Sequence, residues 1–394
     1  MKKIRLFLIL HFLIFSVYNM GHPVTPQFLK EINSPTYMTG ILLATMGLAQ
    51  FLFAPIVGKL SDKYGRYILF IGPLGYAVGQ LGFVIFDNTI LLIIFRFIAG
   101  LFSVMNVSIN VAYLSDIAKK GEEKKILGYG SLCLPLAVFL GFILGGNLGV
   151  LINVRYVFLV QAILSIMLAV LTYYIVKDAK NDLAKQRQTK IQFSIFKNSI
   201  NTLKKYNKTP LVFILFITLL NVLSVQLLAS QIAQQLTLVF KMPTSFIGTY
   251  IATISLISGL LGIVFQNKIF RMVKNSEKLL PLLSSLSTLA CIISYIALPN
   301  YIYIFWFCVL GATFLNTIFV TVVQDIIVRL NKNNDRGELL GLNQSSQALG
   351  VVAGNLGAGF AFSISPFLPI LLSIISFFLT ALYNIFIVVK VAKR

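Results

Sequence analysis

The chain alternates between long apolar runs and short polar, mostly basic segments. A membrane-spanning helix needs about 20 predominantly apolar residues, and a transmembrane β-barrel would show short segments of alternating polarity instead. The pattern therefore predicts an all-α integral membrane protein with twelve spans, numbered here from span 1 to span 12. Their approximate bounds are 4–29, 38–57, 67–86, 89–114, 126–150, 155–176, 209–238, 244–266, 279–298, 301–327, 338–363 and 366–390.

A polar stretch separates the spans into two sets of six. We expect an N-terminal bundle over 1–176, a cytoplasmic linker over 177–208 and a C-terminal bundle over 209–394. Short matches between the halves, such as Asp116 with Asp325 at an offset of 209, favour duplicated, pseudo-symmetric bundles.

Composition supports the membrane assignment. Apolar residues make up 57% of the chain and charged residues 11%, against about 45–50% and 25% in soluble domains. So few polar residues cannot cover a soluble surface, which excludes a nucleic-acid-binding domain despite a net charge of +21. The three cysteines lie in apolar segments, so no disulfide framework is expected.

The basic residues predict the orientation. Of 33 Lys and Arg residues, all but four fall in segments that are cytoplasmic if both termini are cytoplasmic. This is the distribution of the positive-inside rule. The exceptions are Lys30, Arg155 and Lys241 in outer loops and Arg96 within span 4. The rule therefore predicts that both termini are cytoplasmic. The spans and this charge distribution predict a multi-pass protein of the cell membrane, most simply the inner membrane of a bacterium.

The loop between spans 2 and 3 carries a specific motif, Gly58-Lys-Leu-Ser-Asp62-Lys63-Tyr-Gly65-Arg66. It resembles the G-x-L-[SA]-D-[RK]-x-G-R loop of the major facilitator superfamily. The resemblance implies a conformational latch formed by Gly58, Asp62, Lys63, Gly65, Arg66 and Asp116. Asp62 would face the N-terminus of a neighbouring helix, and Arg66 would pair with Asp116.

Two further motifs resemble those of the drug:proton antiporter branch of this superfamily. Arg96-Phe-Ile-Ala-Gly100 in span 4 is similar to R-x-x-[QA]-G, whose arginine is linked to proton movement. The alternative is that Arg96 extends to the membrane interface. In span 5, Gly141, Gly145 and Gly146 resemble a G-P-x-x-G-G packing motif, although phenylalanine replaces its proline.

The spans hold few groups able to carry a proton. No acidic residue lies in the middle of a span, so the coupling candidates are Arg96, His22 and His11. If span 1 is one continuous helix, its two histidines share a face about 16 Å apart, too far to share a metal. Pro23 and Pro26 predict a break near its outer end. The cavity candidates are polar residues within spans: Asn19, Asn106, Asn110, Gln226, Gln231 and Asn316. The alternative for such residues is that they join helices by hydrogen bonds inside the bundle.

These features together predict a monomeric secondary active transporter in contact with membrane lipids, most simply one that exports amphipathic compounds in exchange for protons. The alternative is a carrier of a neutral or anionic metabolite, with Arg96 as its charge partner. The chain lacks the G-x-x-x-x-G-K-[ST] loop that ATP use requires, and no enzyme activity, cofactor, bound metal or nucleic-acid partner is expected.

Overall fold

The structure is a computed structural model that describes residues 2–118, 122–177, 210–272, 278–298, 300–330 and 336–392. The described residues contain helices and connecting turns but no strand, which confirms the predicted all-α class. They form a 3₁₀ helix at Arg66–Phe70 and fourteen α-helices. In chain order these are α1 Lys2–Asn19, α2 Thr25–Glu31, α3 Met38–Tyr64, α4 Ile71–Ile85, α5 Thr89–Ile117, α6 Glu123–Leu151, α7 Val154–Val176, α8 Pro210–Ala229, α9 Ile232–Leu238, α10 Thr244–Met272, α11 Leu279–Ala297, α12 Ile302–Leu330, α13 Arg336–Ile364 and α14 Leu368–Ala392.

The helices follow the predicted spans, with two spans interrupted. Predicted span 1 contains α1 and α2, and predicted span 7 contains α8 and α9. Within the described ranges, ten segments are long and apolar enough to cross a membrane. The segment Met38–Ala54 is a shorter apolar stretch, and α1 carries three basic residues in its first turn. The membrane fold is confirmed, while the count of twelve spans and the orientation of the termini stay predictions.

The helices are grouped into two compact units. The first contains α1, α2, α4 to α7, most of α3 and the segment Lys241–Leu256. The second contains α8, α9, α11 to α14, the rest of α10 and Thr39–Ala44. The predicted linker at 177–208 falls almost entirely outside the described residues, and the division of the chain at that linker remains a prediction.

Each unit packs its helices in the same order. In the first unit α4 lies against α5 and α7, and α1 lies against α6 and α7. In the second unit α11 lies against α12 and α14, and α8 lies against α13 and α14. Helices at equivalent positions along the two halves contact each other in the same way. The two units therefore have the arrangement expected of duplicated bundles.

Polar side chains in the first unit lie among buried apolar residues. Its core contains large buried residues from several helices, among them Phe7, Tyr76 and Tyr113. Short glycine contacts bring α4 close to α5, since a Cβ on Gly79 would lie 2.6 Å from the Cβ of Ala99. This close approach positions the polar residues of α4 beside those of α5.

Candidate functional site

The motif loop folds as a tight turn after α3. Gly65 has φ 90° and ψ 164°, a backbone conformation that glycine adopts without the steric penalty of a side chain. Its N–H donates to the Ser61 carbonyl at 2.9 Å. The chain then enters the 3₁₀ helix at Arg66, so the glycine sets the direction in which the arginine leaves α3.

The predicted ion pair of this loop is present. Arg66 Nε donates to Asp116 Oδ2 at 2.9 Å, and Arg66 Nη1 donates to Ser61 Oγ at 2.7 Å. The pair joins the loop after α3 to the last turn of α5. The side chains of Asp62 and Lys63 and the surroundings of Gly58 lie outside the described part of the chain, so the predicted contact of Asp62 stays a prediction.

Arg96 lies inside the first unit. Only 4% of its surface is exposed, so the side chain does not extend to the membrane interface, and that alternative is wrong. Its guanidinium carbon stands 5.9 Å from the centroid of the Phe83 ring. It also lies within electrostatic reach of Tyr76 and of the His22 ring. Its Nε atom is buried without a hydrogen-bond partner.

Span 1 breaks where its prolines predict. The helix α1 ends at Asn19, and α2 begins at Thr25, with Pro26 in its first turn. His22 therefore lies in the turn between the two helices, and the expectation that His11 and His22 share a helix face is wrong because the helix is not continuous. The break frees backbone carbonyls, which must find partners inside the protein.

Two side chains from other helices bind the carbonyls before the break. Gln161 of α7 donates through Nε2 to the carbonyls of Val17 at 2.6 Å and Tyr18 at 3.3 Å. Tyr76 of α4 donates its hydroxyl to the Tyr18 carbonyl at 2.8 Å and accepts from Gln161 Nε2 at 3.2 Å. The end of α1 is thus bound to α4 and α7 by buried hydrogen bonds.

The same region is bound to α5. The Tyr18 hydroxyl donates to Asn106 Oδ1 at 2.8 Å, and the ring of Tyr18 stacks on Tyr76 at 3.9 Å between centroids. A Cβ on Gly72 of α4 would lie 2.1 Å from Asn106 Oδ1. Asn106 is therefore buried within the first unit, where it joins α5 to α1, and its part in a substrate cavity stays a prediction.

His11 and Asn110 form a separate buried pair one helix turn from that site. Asn110 Nδ2 and His11 Nδ1 are 2.6 Å apart, and both residues are buried. Like Asn106, Asn110 joins α5 to α1. The third cavity candidate of this unit, Asn19, is partly exposed and donates to the Phe15 carbonyl at 2.8 Å.

The glycines of span 5 make two different contacts. A Cβ on Gly145 would lie 1.8 Å from the Met20 carbonyl oxygen, and one on Gly141 would lie 2.2 Å from that of Ser16. These two glycines thus allow α6 to approach the broken end of span 1. Gly146 instead lies against Gly248 of α10, where an added Cβ would be 3.0 Å from the Gly248 Cα.

The three predicted cavity residues of the second unit, Asn316, Gln231 and Gln226, lie in different environments. Asn221 Nδ2 donates to Asn316 Oδ1 at 2.7 Å, which joins α8 to α12. Gln231 lies at the break between α8 and α9, fully buried, and its Oε1 atom has no hydrogen-bond partner. Gln226 is partly exposed on α8.

Sequence reasoning missed Gln161, Tyr76 and Tyr18. A signal was available for Gln161, because a lone glutamine in an apolar span must bind something inside the protein. Nothing in the sequence indicates that its partners are carbonyls of span 1, more than 140 positions away.

Comparison with known proteins agrees with this fold. The sequence model of the Major Facilitator Superfamily matches residues 7–355. Among solved structures, a bacterial homologue of the human lysosomal transporter Spinster has a TM-score of 0.78 at 11% identity, covering 98% of this chain and 96% of that chain. A bacterial homologue of the iron transporter ferroportin has a TM-score of 0.75 at 16% identity, covering 98% of both. At these identities the likeness shows the fold alone.

Two bacterial resistance proteins are similar over part of the chain. Quinolone resistance protein NorA of Staphylococcus aureus (strain Mu50 / ATCC 700699) is 28% identical over 193 residues, which cover 47% of this chain and 50% of NorA. Multidrug resistance protein 1 of Bacillus subtilis (strain 168) is 26% identical over 191 residues, 47% of this chain and 48% of that protein. The chain thus spans about half the length of these relatives.

These two relatives support the predicted resemblance to the drug:proton antiporter branch. The apolar helices described above agree with a multi-pass protein of the cell membrane. Because the family match extends over most of the sequence, the chain belongs to the Major Facilitator Superfamily, a family of membrane transporters.

Proposed function

We propose that the protein is a secondary active transporter that exports amphipathic small organic compounds in exchange for protons, by alternating access through twelve spans with both termini cytoplasmic. The observation that carries the proposal is the similarity to two bacterial resistance proteins, NorA and Multidrug resistance protein 1. The transporter acts as a monomer in contact with membrane lipids, and it has no enzyme activity.

The latch of this transporter is the loop after α3. The ion pair between Arg66 and Asp116 supports this role because it connects the loop to the end of α5, the helix that carries Arg96. Asp62 and Lys63, between the glycines Gly58 and Gly65, complete the latch. A charged contact that forms in one conformation and separates in another shifts the equilibrium between the two states.

Proton coupling is assigned to the interior of the first unit. His22 is the primary candidate because it stands at the break of span 1, within electrostatic reach of Arg96. A proton on its ring adds a second positive charge near the guanidinium, and the repulsion between them favours an arrangement that separates the two. His11, bound to Asn110, is the second candidate.

A metabolite carrier is the second candidate function. Arg96 is a buried cation, and none of the acidic residues in the chain lies in the middle of a span. A buried cation suits a neutral or anionic cargo better than a cationic drug, since like charges repel. Under this alternative the fold and the latch remain, while cargo and coupling differ.

Uptake of ethidium and of Hoechst dye into proteoliposomes, with and without an imposed pH gradient, tests the proposal. We expect movement driven by the gradient and a several-fold loss of it in Asp62→Asn. Asp87→Asn is the matched control, because Asp87 pairs with Arg155 at the opposite end of α5 and should transport like the wild type. Absence of movement in folded protein would favour the metabolite carrier, and wild-type transport by Asp62→Asn would contradict the latch.

A further inference from the structure

We propose that Gln161 and Tyr76 are positioning residues for the substrate-binding surface, because they hold the break of span 1 in the geometry that presents Asn19 and His22 to the cargo. This inference rests on the proposed transport function and adds a part of the site that the sequence motifs do not contain.

The break requires such support. A helix interrupted within a membrane span leaves carbonyls and N–H groups without partners, and each one costs free energy unless the protein supplies a replacement. On the far side of the break, Thr25 donates two hydrogen bonds to the Gly21 carbonyl, from its backbone N–H at 3.0 Å and from its hydroxyl at 2.6 Å. On the near side, the Met20 N–H donates to the Val17 carbonyl at 3.2 Å and the His22 N–H donates to the Asn19 carbonyl at 3.3 Å. Gln161 and Tyr76 add side-chain donors to the carbonyls of Val17 and Tyr18.

Residues of three helices surround the end of α1. Gln161 and Tyr76 are both fully buried, on α7 and α4. On another side, α6 approaches through Gly145, beside the Met20 carbonyl. The end of α1 is therefore enclosed by donors and by a glycine surface, which fixes its position against three helices.

The break leaves two polar side chains partly exposed. Asn19 and His22 are each partly exposed, whereas Val17, Tyr18 and Met20 between and beside them are buried. Exposing an amide and an imidazole to lipid is costly, so partly exposed polar groups within a span face water or a ligand. Interrupted helices are also where secondary transporters commonly form their substrate sites.

The chemistry of this surface indicates its cargo. Asn19 donates through Nδ2 to the Phe15 carbonyl. The side-chain oxygen of Asn19 is therefore available to accept a hydrogen bond. The His22 ring packs edge-on against Phe142, with centroids 5.8 Å apart, and this gives the surface an aromatic wall. Such a combination fits a neutral amphipathic compound that carries a hydrogen-bond donor and a flat apolar body.

Transport kinetics test the inference. Gln161→Met keeps the length of the side chain and removes its N–H donors, and Tyr76→Phe removes only the hydroxyl. We expect each variant to raise KM for Hoechst dye about fivefold with little change in the maximal rate, the effect of one lost hydrogen bond. The double variant should raise KM by less than the product of the two, because both residues bind the Tyr18 carbonyl.

The matched control is Asn384→Leu in the second unit. Asn384 is a fully buried amide that also donates to a backbone carbonyl of another helix, that of Leu280 at 3.3 Å. We expect Asn384→Leu to lower the midpoint of thermal unfolding about as much as Gln161→Met does, while the KM for Hoechst dye stays unchanged. An unchanged KM in folded Gln161→Met, or an equal rise in Asn384→Leu, would overturn the positioning role.

A second measurement does not depend on transport. Asn19→Cys, in a background with the three native cysteines replaced by alanine, reports the accessibility of the break to a water-soluble maleimide. We expect Gln161→Met to change the labelling rate several-fold, and an unchanged rate would refute the inference even if no dye is carried. Absence of dye transport by the wild type would count against the proposed function alone.

Discussion

At the scale of single residues, burial decides what each charge can do. Arg96 and Arg66 are both arginines of a recognisable motif, but they lie in different environments. The Arg66 side chain is 12% exposed and faces a carboxylate that is 30% exposed. Arg96 is buried beside the aromatic ring of Phe83, and its Nε has no hydrogen-bond partner. A partly solvated ion pair contributes little to stability, whereas a buried cation is costly to keep.

For the latch pair we expect separate effects on stability and on transport. Asp116→Asn should change the free energy of unfolding by no more than about 1 kcal/mol, because surface ion pairs are worth little. The same variant should reduce dye flux several-fold if the pair stabilises one conformation. Thermal unfolding and proteoliposome flux measured on one preparation check this. Equal flux in Asp116→Asn and the wild type would show that the pair has no part in transport.

For Arg96 we also expect separate effects on stability and on transport. Arg96→Gln removes a buried charge, so the thermal midpoint should stay equal or rise, while flux driven by the pH gradient should fall several-fold. Arg155→Gln is the matched control, since Arg155 pairs with Asp87 near the start of α5, and this variant should leave flux unchanged. Unchanged flux in Arg96→Gln at several pH values would exclude a coupling role.

At the scale of elements, the glycines of α6 set how closely it approaches its neighbours. The sequence predicts the helix, and its glycine motif predicts close packing, because both follow from composition and spacing. The sequence does not predict that Gly141 and Gly145 face the broken end of span 1 while Gly146 faces α10. That division depends on how the helices rotate about their axes, which tertiary packing determines.

We expect Gly145→Ala to be among the most damaging small substitutions. Its Cβ would lie 1.8 Å from the Met20 carbonyl oxygen, so α6 or the break must move, at a cost of about 1–3 kcal/mol. Gly128→Ala in the same helix is the control, because a Cβ there has no atom within 4 Å; it should stabilise the helix by about 0.5–1 kcal/mol. Thermal unfolding in detergent compares the two, and equal midpoints would contradict the packing described for α6.

The interrupted spans show where sequence reasoning succeeds and where it ends. Pro23 and Pro26 predict the break of span 1, because proline removes a backbone donor and disturbs the preceding turn. They do not predict the partners of the freed carbonyls, since Gln161 and Tyr76 come from distant helices. The polarity of Asn106 predicts a place inside the bundle but does not predict its partner, the Tyr18 hydroxyl, because polarity alone does not say which way a side chain points.

At the scale of the whole molecule, the charge distribution predicts the orientation in the membrane. Both units repeat one packing order, while the basic loops differ between the two sides of the predicted spans. Orientation is therefore decided by the loops rather than by the bundles.

Cysteine labelling in intact cells tests that orientation. Lys3 and Lys30 are both exposed and lie near the two ends of span 1. In a background without the native cysteines, we expect a membrane-impermeant maleimide to label Lys30→Cys from outside and Lys3→Cys only after the cells are opened. Labelling of both from outside, or the reverse pattern, would contradict the assignment of a cytoplasmic N-terminus.

The buried arginine of α5 also has a consequence for how the protein is made. An arginine at the centre of a spanning helix costs about 2.5–3.5 kcal/mol on insertion into the bilayer, and Arg96 lies about two turns after the start of α5. The helix α4 ends at Ile85 and α5 begins at Thr89, so the two leave the ribosome as a short helical hairpin. Phe83 and Tyr76 of α4 then cover Arg96 before the second unit has been synthesised. We therefore expect α5 to insert into the membrane more readily when α4 precedes it in the chain.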